Sequence, residues 1–109
     1  MKVCSSCFSD KELNGFILTS SDIGDCDVCK AKSQHLLDIT ELYDFFQELI
    51  GNFKLVDNGL PLSVKIQYDW NFFSSSEVAN KILNFIISKI QTEITSSEDL
   101  VEYSDDILT

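Results

Sequence analysis

The chain has 109 residues, of which 44% are hydrophobic, a length that can bury one small core but hardly two independent ones. It carries 18 acidic residues, eight lysines and no arginine, and its formal net charge is −10 at pH 7. Such a surface repels phosphates and lacks the guanidinium group that reads phosphate or guanine, so we expect no direct binding of DNA or RNA. No apolar run approaches the ~20 residues that span a bilayer, so we also expect no membrane insertion.

All four cysteines lie in the first 29 residues and form two Cys-x2-Cys pairs. Cys4 pairs with Cys7 and Cys26 pairs with Cys29, with 18 residues between the pairs. This spacing is typical of one tetrahedral zinc ion held by four thiolates, with no open position for water or substrate. The sequence therefore predicts a structural Zn2+ site. Two disulfides, free thiols and an iron–sulfur centre are the alternatives.

The position of Cys4 close to Met1 leaves no room for a secretory signal with its apolar segment. We therefore expect a cytoplasmic protein, because reducing surroundings keep thiols available to metal ions. Whether the chain is a natural stand-alone protein or a truncated copy of a longer one is left open by the sequence.

Periodic apolar residues predict two helices in the first half of the chain. A capping box from Ser9 to Glu12 indicates the start of a short helix, whose apolar stripe is expected to cover the metal site. A second, amphipathic helix is expected over residues 40–53, with either Asp38 or Thr40 as its cap. Its inner face consists of Leu42, Phe45, Phe46, Leu49, Ile50 and Phe53.

The second half of the chain contains one long helix and shorter segments that periodicity alone does not assign. Residues 57–59 read as a turn, whereas residues 62–68 fit a strand and a helix equally well. A long helix is expected over residues 77–94, and its apolar arc is wide enough to suggest burial on two sides. Its apolar residues are Val78, Ile82, Leu83, Phe85, Ile86, Ile87, Ile90 and Ile94. Trp70 is interpreted either as a core residue between the two long helices or as an exposed interaction anchor.

These elements predict a mainly α protein in three parts. Residues 1–33 are expected to form a four-cysteine zinc knuckle, or ribbon, with its short helix. Residues 34–96 would form a small helical bundle, and residues 97–109 an acidic, weakly ordered tail with one helical turn near Leu100. Because a core this small rarely covers both sides of a wide apolar helix, we expect a protein partner or self-association, most simply as a homodimer.

One combination of residues extends from the cysteine region into the helices. It consists of Val3–Phe8, Asp10, Leu13 and Gly24–Cys29 around the cysteines, Leu42, Tyr43 and Phe46 in the Phe-rich helix, and Asp69–Phe73. This combination resembles a bacterial family, the HEPN/RES N-terminal domain. The resemblance implies a zinc knuckle followed by a HEPN-like helical bundle. In relatives this module stands before a RES toxin domain, a class of domain that degrades NAD.

The resemblance and the composition together favour a protein without enzymatic activity. HEPN proteins that cleave RNA use an Arg followed by a His, and this chain contains no Arg. The expected function is a non-catalytic, zinc-stapled helical module for protein–protein contact, associated with a RES-type toxin or defence system. The alternative is an acidic inhibitor that mimics nucleic acid. An enzyme using a carboxylate pair such as Asp69 and Glu77 is a third hypothesis.

Overall fold

The computed structural model describes residues 1–104, and its elements alternate between strands and helices along the chain. They are β1 (Lys2–Cys4), α1 (Lys11–Leu18), β2 (Ile23–Gly24), β3 (Gln34–Asp38), α2 (Tyr43–Gly51), β4 (Phe53–Pro61), α3 (Leu62–Trp70), α4 (Ser76–Ile87) and β5 (Leu100–Tyr103), with 3-10 turns at Ser5–Cys7 and Ile39–Leu42. Of the described residues 43% are helical and 24% are in strands. The expected mainly α fold is therefore wrong, because the chain is an α/β mixture with two small antiparallel sheets.

The N-terminal sheet has the strand order β1-β3-β2, with β3 in the centre and both pairings antiparallel. Val3 lies opposite Leu37, and both side chains are buried. Segments of two or three residues such as β2 and β1 are too short for alternation to reveal them, and only their pairing with β3 makes them strands. The sheet therefore depends on contacts between distant parts of the chain.

Both N-terminal helices were predicted, but their caps and ends differ from the expectation. Asp10, and not Ser9, caps α1, because its carboxylate accepts a hydrogen bond from the Leu13 N–H at 2.9 Å. Asp38 caps the 3-10 turn that leads into α2 by accepting from the Thr40 N–H at 3.1 Å. Helix α2 ends at Gly51, so Phe53 belongs to β4 and not to the helix.

The expected weakly ordered tail is also corrected, because Leu100–Tyr103 forms β5 and pairs with β4. Val101, which is buried, lies opposite both Leu55 and Leu60, so residues 56–59 bulge out of the pairing. The predicted turn at residues 57–59 is the tip of this bulge. The remainder of the expected tail, residues 105–109, lies outside the described residues.

Gly59 is required by the close approach of β4 to β5. A Cβ at this position would lie 2.4 Å from the Val101 carbonyl oxygen and 2.6 Å from a Val56 methyl group. We expect Gly59→Ala to destabilise the protein by about 1–3 kcal/mol, because backbone must move to admit the methyl group. Gly15→Ala is the matched control, since a Cβ added there inside α1 would have no atom within 4 Å apart from the adjoining backbone of its own helix. Urea unfolding should show that control stabilised by about 0.5–1 kcal/mol, and equal stability of the two variants would contradict the prediction.

The two C-terminal helices settle the segments that periodicity left open. Residues 62–70 form helix α3, which ends at Asn71 in the left-handed conformation (φ 46°). Helix α4 begins at the Ser75 cap and ends at Ile87, seven residues before the predicted end at residue 94. The chain turns back there. The Gln47 carboxamide donates a hydrogen bond to the Gln91 carbonyl and accepts one from the Gln91 N–H.

The wide apolar arc of α4 is covered by the chain itself. Leu83 is fully buried, Ile87 is 8% exposed, and Ile94 folds back into the core. The returning segment is held at Ser97, whose N–H donates to the Asn84 side chain at 2.8 Å and whose hydroxyl donates to Asn80 at 2.7 Å. The argument that this arc needs a partner or a second copy is therefore wrong.

Among the helices in residues 1–104, none combines the length and the apolar character that a membrane crossing requires.

One apolar core joins the cysteine region to the helices. Phe8 pairs with Phe73 in an isolated β-bridge, through hydrogen bonds from Ser9 N–H to the Phe72 carbonyl (2.8 Å) and from Ser74 N–H to the Cys7 carbonyl (3.0 Å). The Phe46 and Phe73 rings stack at 6.1 Å between centroids, which brings α2 to the same point. The division of the chain at residues 33 and 96 stays a prediction, but the parts share a continuous core.

A second aromatic group, formed by Phe53, Trp70 and Tyr103, joins α3 to the β4–β5 sheet. Trp70 is 45% exposed and contacts Phe53 and Tyr103, so it is not a core residue between the two long helices. The Tyr103 hydroxyl donates to the Asp69 carboxylate at 2.6 Å, and the Lys65 ammonium lies 4.9 Å from the centroid of the Tyr103 ring. The last described strand is thus held by polar as well as apolar contacts.

We expect the alkaline stability of the protein to depend on Tyr103. Burial, the hydrogen bond to Asp69 and the charge of that carboxylate raise the pKa of Tyr103 to about 12. Because the folded pKa lies above the ordinary value of about 10, the contribution is complete below pH ~10 and disappears as pH rises towards ~12. A tyrosinate absorbance titration should contain a late component that Tyr103→Phe removes. The same curve in both proteins would contradict this assignment.

Candidate metal centre

The first cysteine pair is positioned by the end of a strand and a tight turn. Cys4 is the last residue of β1, and Cys7 ends the 3-10 turn that follows it. The Asn14 carboxamide on α1 donates to the Ser5 carbonyl at 2.7 Å and to the Phe8 carbonyl at 2.9 Å. This one side chain therefore holds both ends of the turn against α1.

The second cysteine pair forms a turn around the Cys26 sulfur. Cys26 Sγ accepts hydrogen bonds from the Val28 N–H at 3.4 Å and the Cys29 N–H at 3.5 Å. The turn closes with Lys30 in the left-handed conformation (φ 66°) and a hydrogen bond from Cys26 N–H to the Ala31 carbonyl at 2.9 Å. These backbone groups orient the sulfur and stabilise its negative charge.

The two turns bring all four sulfurs together. The Sγ atoms of Cys4, Cys7, Cys26 and Cys29 lie within 4.8 Å of one another, and none of the four forms a disulfide. Across the two pairs, Cys4 Sγ is 3.4 Å from Cys29 Sγ and Cys7 Sγ is 3.5 Å from Cys26 Sγ. Four thiolates with Zn–S bonds of about 2.3 Å would lie about 3.8 Å apart at the corners of a tetrahedron. The arrangement therefore fits a single tetrahedral metal ion, and the four cysteines could bind one.

The environment of the sulfurs makes a cation favourable. Cys4, Cys7 and Cys26 are buried, and Cys29 is half-buried. Burial and the contact with Cys29 raise the pKa of Cys4 to about 11, and burial raises the pKa of Cys7 further. Burial also opposes ionisation of Cys26, but the N–H groups of Cys29 and Val28 lower the pKa of Cys26 to about 7. A metal ion would offset the mutual repulsion of four buried thiolates, because it binds the deprotonated sulfurs directly.

The single histidine and the two candidate carboxylates lie elsewhere. His35 is half-buried in β3, and its Nδ1 lies 2.7 Å from the Ser20 carbonyl, so this nitrogen carries the proton. Asp69 contacts Lys65 and Tyr103, whereas Glu77 pairs with Lys81 at 3.3 Å. Each of the two suggested carboxylates therefore has its own lysine partner. Within residues 1–104, the four cysteines are the one group of Cys, His, Asp or Glu side chains placed to share a metal ion.

Sequence reasoning missed the side chains that hold the cysteine turns in place. Asn14 lies inside a helix, where Asn is not favoured, and this was the signal that it bonds to backbone elsewhere. Gln67 was also missed. Its carboxamide exchanges two hydrogen bonds with the Phe73 backbone, at 2.7 and 2.9 Å, and so holds the segment that pairs with Phe8.

The chain has been compared with known families, proteins and structures. No protein-family model, no curated protein and no solved structure matches it. The likeness to the HEPN/RES N-terminal domain therefore stays a prediction from the residues quoted above, and the metal centre is described by its own geometry.

Proposed function

We propose that this chain is a non-catalytic protein-interaction module whose fold is stabilised by a structural zinc ion. The observation that supports this is the set of four converging sulfurs, three of them buried. Four thiolates complete the tetrahedral shell of Zn2+ and leave no position for a water molecule or a substrate, as in structural sites. A reducing cytoplasm is the compartment that suits such a site, because it keeps the thiols reduced.

The expected metal content is one zinc ion per chain. Elemental analysis of the purified protein should find one equivalent of zinc, and Ser6→Ala should retain it because Ser6 is exposed between the two cysteines of the first turn. Folded protein with less than half an equivalent of any metal would overturn the proposal. If the analysis finds a full equivalent of iron, the site is an iron centre and not a zinc centre, and its stabilising role still stands.

The resemblance to the HEPN/RES N-terminal domain supports a RES-type toxin as the partner. We expect the zinc-loaded chain to bind a purified RES domain taken from a protein that carries such a module, and to change the rate at which that domain degrades NAD. Sedimentation of the mixture and an NAD assay test the two parts separately. No complex at high micromolar concentration would reject the toxin association.

The proposal includes a homodimer, but through a surface other than the apolar arc of α4. Because the apolar arc of α4 is covered by its own chain, any contact between copies has to use other, exposed side chains. Sedimentation of the chain alone at several concentrations measures this directly.

A further inference from the structure

An apolar groove lies between α1 and the start of α2. We call it the Phe16/Phe45 groove, and its volume is about 290 Å3. The rings of Phe16 and Phe45 form its walls and are 54% and 46% exposed. Buried Leu42 and Phe72 lie at its base. Such a concave apolar surface is suited to a bulky side chain from a partner.

The groove is held in shape by the aromatic core beneath it. The Phe45 ring stacks on Phe72 at 5.5 Å between centroids and meets the Phe46 ring edge-on at 5.2 Å. Phe72 also contacts Phe8, next to the metal centre. Because these neighbours limit the rotation of Phe45, a partner side chain would enter a pocket that is already formed, which reduces the entropic cost of binding.

Carboxylates surround this groove on both sides. Asp10 and Glu12 line it on the α1 side. On the α2 side Phe45 shares a second surface depression with Asp44 and Glu48, which are one helical turn apart. No ion pair found within residues 1–104 involves Glu12, Asp44 or Glu48. The groove is therefore apolar in the middle and negatively charged at its rim.

We propose that the Phe16/Phe45 groove binds a basic amphipathic segment of a partner protein. A bulky apolar side chain of that segment fills the groove, and flanking Lys or Arg side chains meet the carboxylates. A cation that meets Asp44 or Glu48 and also reaches the face of the Phe45 ring gains a cation–π contact. This inference rests on the proposed protein-interaction function and specifies the chemistry of its partner.

The charge of the chain argues against two other occupants. A second copy carries the same formal charge of −10, so the acidic rims of two copies repel each other. Anionic lipid is repelled by the same carboxylates. A basic segment is the occupant that complements both parts of the surface.

The test uses the zinc-loaded full chain and a fluorescent helical peptide with Phe and Leu along one face and Lys at the other positions. We expect saturable binding, with NMR shift changes concentrated at Leu13, Phe16 and Phe45. Phe16→Ser and Phe45→Ser should each weaken binding at least about tenfold, as loss of an aromatic anchor does. Tyr68→Ser is the matched control, because Tyr68 is exposed on α3 away from the groove, and it should leave the affinity unchanged.

Two further experiments distinguish specific binding in the groove from general attraction between opposite charges. A peptide of the same composition with the apolar residues scattered around the helix should bind at least about tenfold more weakly. The double variant Asp44→Lys, Glu48→Lys should lose affinity for the basic peptide. Equal binding of both peptides, shifts spread over other surfaces, or a self-association that Phe45→Ser abolishes would each overturn the proposal.

Failure of the proposed groove can be distinguished from failure of the proposed protein-interaction function. If a RES domain binds Phe45→Ser as tightly as the unchanged chain, the protein-interaction function stands and the groove is not its site. If the peptide binds the groove and no RES domain binds at all, the groove is supported and the toxin association fails. Metal content and urea unfolding of each variant show that it is folded.

Discussion

Replacing Cys26 with Ser is expected to abolish stoichiometric metal binding and to unfold residues 1–104 in a single transition. Structural zinc contributes an apparent free energy of about 10–16 kcal/mol in small peptides, which is as large as the entire net stability of most domains, ~5–15 kcal/mol. The cysteine turn is bonded to the segment that contains Phe72 and Ser74, and Phe8 packs on Phe73 within the continuous core. Loss of the metal should therefore be transmitted to α2 and α4.

Parts that fold independently would respond differently to the loss of the metal. An independent helical bundle over residues 34–96 would keep most of its helicity after the knuckle had lost its metal. Far-UV circular dichroism of Cys26→Ser, and of the unchanged chain treated with a chelator, distinguishes the two cases. Ser6→Ala serves as control and should resemble the unchanged protein. Retention of α4 helicity in Cys26→Ser would show that the parts fold independently.

Phe73→Ala is expected to reduce the free energy of unfolding by about 3–5 kcal/mol, the usual cost of deleting a buried aromatic ring. Phe73 is 1% exposed and its ring contacts Phe8, Phe46 and Phe72. The deletion removes ring contacts to two other parts of the chain, at Phe8 and Phe46. Because Gln67 holds the Phe73 backbone through two hydrogen bonds, local collapse into the cavity is limited.

Urea unfolding of zinc-loaded protein measures this cost. Phe16→Ala is the matched control, because the same ring is removed from a half-exposed position, and it should cost far less. The slope of the unfolding transition should be the same in both variants. A loss below ~1 kcal/mol for Phe73→Ala would mean that the aromatic cluster is not what joins the cysteine region to the helices.

The residues of the candidate metal centre were predictable from the sequence alone. A Cys-x2-Cys turn is local, so its spacing predicts two sulfurs on one side of a metal ion, and two such turns predict the set that the structure brings together. The middles of α1, α2 and α4 were predictable for a similar reason, because an apolar stripe of period 3.6 depends only on neighbouring residues. These features follow from local residue patterns alone.

Tertiary structure decided the rest. Strands β1, β2 and β5 have two to four residues each, and their hydrogen-bond partners lie far away in the chain, so no local period marks them. Helix α4 ends at Ile87 because the chain turns back and buries Ile94 beside it, which also closes the apolar arc. The Phe16/Phe45 groove exists only because residues of α1, the start of α2 and Phe72 line it together. In each case the deciding contact joins residues that the sequence separates.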